Sequence, residues 1–581
     1  MKKNRLIDKL KESAKWQEYT IAAGVTLLLV VVISILFDYY YCMNDDTTMR
    51  DILCGSYTGT PEGRNIQMLY PISAFISMLY RIVPGAPWYG IFLCGCQYLA
   101  IFLICRRTIK TVTQTWAKIT IAFMTVLFAG GILLYELVFV QYTMTCGILM
   151  AAAVFWFYTS DVGKGVKAFL LENCVSILLV VLAFQIRTEM AILMFPFLLG
   201  AGLCKWSKEE KFFTKQNFAK YVGLIGSVLV LMGVSIVVNE AAYSSAEWKK
   251  FNLFFDYRTE IYDFLGAPTY EKDRDFYDAA GLSESEAALI HNYNFALDEE
   301  IDENVLGQMV EYQKERHGGN TLFLVGMRDA VWIYKNSLLS PDYMPYNGLI
   351  LLLYLLLVLA AWKNKDKSYI WKLPMFGLIR TVCWMYIILR NRTPDRITHG
   401  LFLMELMVLF ALLATEWGRK KMSRMTVSAI ACVIVALSLP GVWTRAHTEK
   451  VQRENINKEW LMLQEYCKAN EENYYLIDVY SSVDYTEKMF ENVDNTYRNF
   501  DLCGGWTAKS PLYREKLEKS GVTDIEKDLL AKENVFFVAK ANWDIQWLEQ
   551  YYSEKGITVQ AESAEEIEVN GEVRFVIYRL L

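Results

Sequence analysis

The twelve cysteines of this chain include no CxxC pair and no zinc-type spacing, which argues against a thiolate metal centre. There is no internal repeat, no low-complexity stretch and no disordered tail. The missing repeat counts against a transporter, because many transporters show inverted halves with paired broken helices. A net charge of −5 is small for 581 residues and leaves no basic footprint for nucleic acid. What the chain has in excess is apolar residue: 54% of it is hydrophobic, against about 45–50% in soluble proteins.

The apolar residues fall into runs. A basic start, MKKNRLIDKLKESAKW, leads into TIAAGVTLLLVVVISILF, about 18 residues and long enough to span a bilayer. It lacks the small-residue cleavage site of a removable signal and reads as a retained first span. Further runs lie near 88–105, 118–138, 141–159, 168–185, 190–204, 220–239, 347–362, 373–389, 397–415 and 425–441. The fold class is therefore a polytopic α-helical membrane protein with about eleven transmembrane helices. Residues 66–83 are also apolar, but Pro71 and Arg81 interrupt them, so they read as a helix lying in the interface or re-entering it.

Charge orients these spans. With residues 1–18 in the cytoplasm, the inner loops are RRTIK, GKGVK, KWSKEEKFFTKQ, KNKDKSYIWK and EWGRKKMSR, all basic, as the positive-inside rule requires. The outer segments are then 38–87, the IRTE turn near 187, the large loop 240–346, the turn at 390–396 and the tail 442–581. That tail alternates strand-like YYLIDVY, NVFFVAK and EVRFVIYRL with helical stretches and reads as an extracytoplasmic α/β domain. In the large loop, Ser283 and Glu286 have capping-box spacing. Most cysteines lie in apolar runs. Cys42 with Cys54, and Cys467 with Cys503, share outer segments, but spacing alone does not establish a disulfide.

Four polar groups fall on the outer side near helix ends. The first follows a tyrosine belt (Tyr39, Tyr40 and Tyr41) and consists of Asp45 and Asp46. Paired acids just past a membrane helix can take a proton or hold a metal; the plain alternative is a loop Asp capping a short helix. The second is Arg187 and Glu189, which also suit a simple turn. The third is FFDYRTE, with Asp256, Arg258 and Glu260, where a solvated helix face is the simpler reading. The fourth is RNRTPDR, where Arg390, Arg392 and Arg396 defy the orientation bias. Guanidinium forks suit a phosphate, with lipid headgroups the plain alternative. Arg187, Glu189, Asp256, Arg258 and Tyr57 are candidate donor or acceptor contacts. His399 reads as an ordinary polar contact. Arg380 and Glu405 lie about 14 and 12 Å into adjacent spans and are expected to pair, since a lone charge at that depth is costly.

The acidic NDD at 44–46, the Arg turn, the span count and the outer domain together resemble the GT-C superfamily of integral-membrane glycosyltransferases. The resemblance implies a polyprenyl-phosphate-linked sugar donor, a glycan, lipid or protein acceptor, and a first-loop base at Asp45 or Asp46. It also implies, in some members, a divalent metal (Mg or Mn) at those acids. Sugar transfer from a lipid phosphate needs a base for the acceptor hydroxyl and positive charge for the leaving phosphate; unlike glycoside hydrolysis it needs no second acid. Arg390, Arg392 and Arg396 are the expected phosphate ligands, with 66–83 and FFDYRTE flooring the acceptor site. Two other classes fit less well: a lipid-linked glycan polymerase or ligase, and a non-enzymatic transporter or flippase. A purely binding role remains open for the tail. The NRT at 391–393 has the form of an N-glycosylation acceptor, and modification there would block the Arg turn. A bacterial plasma membrane is therefore the easier setting.

Overall fold

A computed structural model describes residues 2–319, 323–338, 340, 343–416, 424–491 and 495–581. The chain is a multi-pass helical membrane protein carrying a C-terminal sheet domain. Among the described residues eight helices are long and apolar enough to cross a bilayer: Trp16–Leu36, Trp88–Ile109, Tyr142–Thr159, Thr188–Trp206, Lys215–Ala242, Met344–Asn364, Tyr369–Leu389 and Asp395–Thr415. Val166–Glu172 and Cys174–Ile186, bent by 51° at their junction, make a ninth if counted as one span. The other two of the expected runs differ. Thr115–Gly131 is a shorter apolar helix, and the run at 425–441 opens a 46-residue helix, Arg424–Ala469, that continues into the C-terminal domain. Most of the basic EWGRKKMSR stretch, 417–423, lies outside the described residues.

Tyr142–Thr159 and Asp395–Thr415 form the centre of the bundle and are buried along almost their whole length. Their backbones meet at glycine: a Cβ on Gly147 would come within 3.1 Å of the Gly400 Cα, and small residues permit such close helix contact in lipid. The stretch at 66–83 contains a 13-residue helix, Tyr70–Ile82, too short to cross alone. It buries Ile72, Ile76 and Tyr80 and exposes Phe75, Met78 and Ile82, the two-faced pattern of a helix lying at an interface.

Among the described residues the strands are β1 (Tyr40–Tyr41), β2 (Phe139–Val140), β3 (Tyr474–Ile477), β4 (Phe500–Leu502), β5 (Val535–Lys540), β6 (Ala561–Val569) and β7 (Glu572–Leu580). Tyr39, Tyr40 and Tyr41 are buried; instead of forming an interfacial belt, they lead into the small parallel pair β1–β2. The C-terminal sheet has the order β4-β3-β5-β7-β6. β3 runs parallel to β4 and β5, while β7 pairs antiparallel with β5 and β6. Every residue of β3 is buried, as a central parallel strand covered on both faces should be.

The large loop and the C-terminal domain share one apolar core, in which Trp248, Phe254 and Phe295 join Tyr474, Phe537 and Tyr551. The domain is also stitched to the first loop. The backbone N–H of Tyr41 donates to the Glu487 carbonyl (3.0 Å), and that of Met489 donates to the Tyr39 carbonyl (2.9 Å). Arg453, on the long helix, donates to the carbonyls of Tyr41 and Cys42, both at 3.0 Å. Cys42, Cys54, Cys467 and Cys503 are free thiols.

Candidate functional site

The paired acids open a helix, Asn44–Cys54, that starts after extended Met43 with no side-chain cap. Asp45 and Asp46 occupy its first turn, where the helix dipole favours negative charge. The two carboxylates then part company. Asp46 is fully buried and accepts a hydrogen bond from the Tyr89 hydroxyl at 3.0 Å. Among the described residues its other oxygen has no partner in hydrogen-bond geometry, although the Tyr142 backbone lies close enough to favour its charged form. Burial pushes its pKa well above the carboxylate range.

Asp45 faces a different group. Among the described residues its carboxylate accepts no hydrogen bond, and it lies within electrostatic reach of Arg396, Arg258 and Arg187. Burial raises its pKa, against the pull of those three guanidiniums. The three come from separate elements. Arg396 stands in the first turn of Asp395–Glu416, with Nη1 3.0 Å from the Met43 sulfur. Arg258 lies near the end of Ala246–Glu260, its Nε buried without a hydrogen-bond partner among the described residues. Arg187 joins two helices, donates to Gln67 Oε1 at 2.9 Å and pairs with the exposed Glu189 at 3.0 Å. Among the described residues neither Arg396 nor Arg258 forms an ion pair. Two unpaired guanidiniums beside a half-buried acid are suited to receiving an anion.

The Arg turn is split. Arg390 meets Glu260 at 3.6 Å and stacks on Phe264; Arg392 pairs with Asp263 at 2.9 Å. Both thus fasten the turn to the large loop, and of the three only Arg396 stands beside Asp45. Tyr57, a candidate contact, lies instead under the Lys516 ammonium (4.3 Å) in the interface with the C-terminal domain. Asp256 is exposed, because two residues along a helix turn it away from Arg258. In the bundle Arg380 meets Glu405 at 3.0 Å, with Asn347 and Tyr354 completing the cluster at 2.6 and 3.0 Å.

Two constellations escape the sequence reading. At the far end of the acid-bearing helix, Arg50 and Arg498 alternate with Asp51 and Glu487 in a closed ring: Arg50–Asp51 and Arg50–Glu487 at 2.7 Å, Arg498–Asp51 and Arg498–Glu487 at 3.1 Å. Nearer the bundle, His399 makes a polar contact whose partner spacing could not name: its Nδ1 lies 2.6 Å from Glu136, which also accepts from Tyr346. No local signal joins residues hundreds of positions apart, so neither grouping could be read from spacing.

A divalent ion at Asp45 and Asp46 would lack company. Asp46 is engaged with Tyr89, and among the described residues no third carboxylate, His or Cys gathers with the pair; the one such trio is Glu286, Asp298 and Glu300. There Asp298 is already held by Tyr551 and Lys555 at 2.8 Å. Three guanidiniums beside Asp45 oppose a resident cation by like charge. This donor set fits a bound anion, not a metal.

No family model matches the chain, and no curated protein sequence matches it. Among solved structures it is similar to the crystal structure of ArnT from Cupriavidus metallidurans bound to undecaprenyl phosphate. The identity is 11%, the TM-score 0.44, and 96% of this chain and 97% of that chain are covered. That superposition is too loose to pair individual residues.

Proposed function

We propose that this protein is a membrane glycosyltransferase. It moves a sugar from a polyprenyl-phosphate donor to an acceptor hydroxyl on the extracytoplasmic face of a bacterial plasma membrane, with inversion. One observation carries the reading: Asp45, without a hydrogen bond among the described residues, lies within electrostatic reach of Arg396, Arg258 and Arg187 from three separate elements. An acid beside unmatched guanidiniums can serve both halves of a transfer from phosphate.

In the proposed step Asp45 takes the acceptor hydroxyl's proton as that oxygen bonds to the anomeric carbon. The bond from that carbon to the phosphate oxygen breaks, and its electron pair leaves with the polyprenyl phosphate. Arg396 and Arg258, with Arg187 behind them, stabilise the charge that develops there. A base pKa raised toward neutrality suits proton removal, and burial supplies that shift. Asp46, deeper and bonded to Tyr89, orients the first turn and does not touch substrate. Arg390 and Arg392 hold the loop through Glu260 and Asp263, so donor binding rests chiefly on Arg396 rather than on all three turn arginines. The test is release of polyprenyl phosphate from a labelled polyprenyl-phosphate hexose by the full chain in lipid nanodiscs. Asp45→Asn should slow it about 10²–10⁴-fold while thermal unfolding stays unchanged; turnover at the parent rate would refute the assignment.

A further inference from the structure

The aromatic residues next to this site form a row that the proposed transfer step leaves unused. Tyr262 and Tyr293 stack with ring centroids 4.0 Å apart. Tyr293 meets Tyr480 edge-on at 5.7 Å, and Tyr480 meets Trp543 at 6.2 Å. The inner end touches the charged pocket, because the Arg258 guanidinium lies 5.5 Å from the Tyr262 ring and 5.9 Å from Tyr293. The outer end opens to solvent, with Tyr480 37% and Trp543 45% exposed.

The sheet puts the row where α/β sheets bind ligands. From β3 the chain passes to β4 on one side and then crosses back to β5 on the other. Such a reversal leaves a crevice at the carboxyl ends of the parallel strands. Tyr480 follows the carboxyl end of β3, and Trp543 follows that of β5. Tyr293 is forced into the same place. Its φ is +65°, which a bulky residue seldom adopts, and a Cβ on Gly504 would lie 1.6 Å from its carbonyl oxygen. Glycine at 504, just past β4, lets this backbone reach the crevice. A held outlier of this kind belongs more often to a binding site than to plain packing.

We infer that Tyr293, Tyr480 and Trp543, with Tyr262 stacked behind Tyr293 and against Phe295, form a track for the sugar rings of an oligosaccharide chain, delivering its end to Asp45. The acceptor is thus a glycan. Rings with an apolar face and a polar edge suit pyranose units, which present C–H faces rimmed with hydroxyls. The inference rests on the transferase reading for the word acceptor, but the binding does not depend on chemistry.

The test is calorimetric titration of the full chain in nanodiscs, without donor, using maltoheptaose, cellohexaose and N-acetylchitohexaose. At least one should bind, and Asp45→Asn should bind it equally well, which separates loss of the track from loss of catalysis. Tyr480→Ala and Trp543→Ala should each weaken it about tenfold, while Trp543→Phe retains most of the affinity. Both positions are exposed, and unfolding curves are the check that the variants fold. If none of the three probes binds, or both alanine variants bind like the parent, the track is refuted; a lipid or protein acceptor would give that result.

Discussion

The two ends of the helix Asn44–Cys54 bury charge in opposite ways. At its carboxyl half, Arg50 and Asp51 close a ring with Arg498 and Glu487 in which each group has two ionic partners. At its amino end, Asp45 has no hydrogen bond, and Arg258 and Arg396 have no carboxylate, among the described residues. Both ends have left water and bear the desolvation cost of doing so. The ring recovers that cost within the protein, whereas the acid end is completed only by something that arrives. A saturated cluster therefore reads as structure, and an unsaturated one as a site.

The largest test of this contrast is loss of charge at the acid end. Asp45→Asn should lower transfer about 10²–10⁴-fold, the range of a lost general base, with no fall in thermal stability. A variant that unfolds earlier and still turns over would reverse the roles of the two ends. Next comes the arginine comparison. Arg396→Met should cost about 10²–10³-fold in kcat, as removal of one transition-state charge partner does. Arg390→Ala and Arg392→Ala, already matched by Glu260 and Asp263, should each cost less than about tenfold. Equal losses at all three would restore the undivided Arg turn.

The difference between the ends also shows what the sequence could carry. Apolar runs located the spans, and alternation of apolar strands with helices located the tail domain, because both depend on local periodicity. β6 went unseen: AESAEEIEV reads as polar, yet it is a sheet edge with its acids turned outward, as edges tend to be. Asp45 and Asp46 stood out together for their place just past a span, and Arg390, Arg392 and Arg396 together for their position against the charge bias; spacing did not separate the members of either set. Asp256 is exposed, in keeping with the simpler reading of FFDYRTE as a solvated face, whereas Tyr57 lies against Lys516, since the sequence does not say which loop a domain covers. The ring was illegible because Arg50 and Glu487 meet only after the chain has crossed the membrane many times.

Breaking the ring should act on stability first. Arg498→Met leaves Asp51 and Glu487 buried beside a single Arg50, a loss of about 3–5 kcal/mol where one partner of a buried pair is removed. The expected readout is an earlier unfolding transition and faster hydrogen exchange at residues 38–57, which the C-terminal domain holds down. The rate at a temperature where the variant is folded should fall by less than about tenfold, because the ring positions the acid-bearing helix without touching substrate.

The smallest effect, and the one that separates the two ends most sharply, is in pH. Glu487 is held well below the ordinary carboxylate range by Arg498 and Arg50, which outweigh its burial. Its contribution to stability is therefore present above the unfolded value of about 4.3 and is lost as pH falls through the folded value. Asp45 is shifted the other way by burial, so its contribution is present below an unfolded value of about 3.9 and is lost as pH rises through the folded one. Acid should thus loosen the ring while relieving the acid end. In the pH–rate profile, a base at Asp45 gives a rising limb above the ordinary carboxylate value. Because Arg396 pulls that pKa down, Arg396→Met should move the limb to higher pH, and Glu487→Gln should leave it in place. If both variants shift the limb together, the two ends are electrostatically one cluster and the division between structure and site fails.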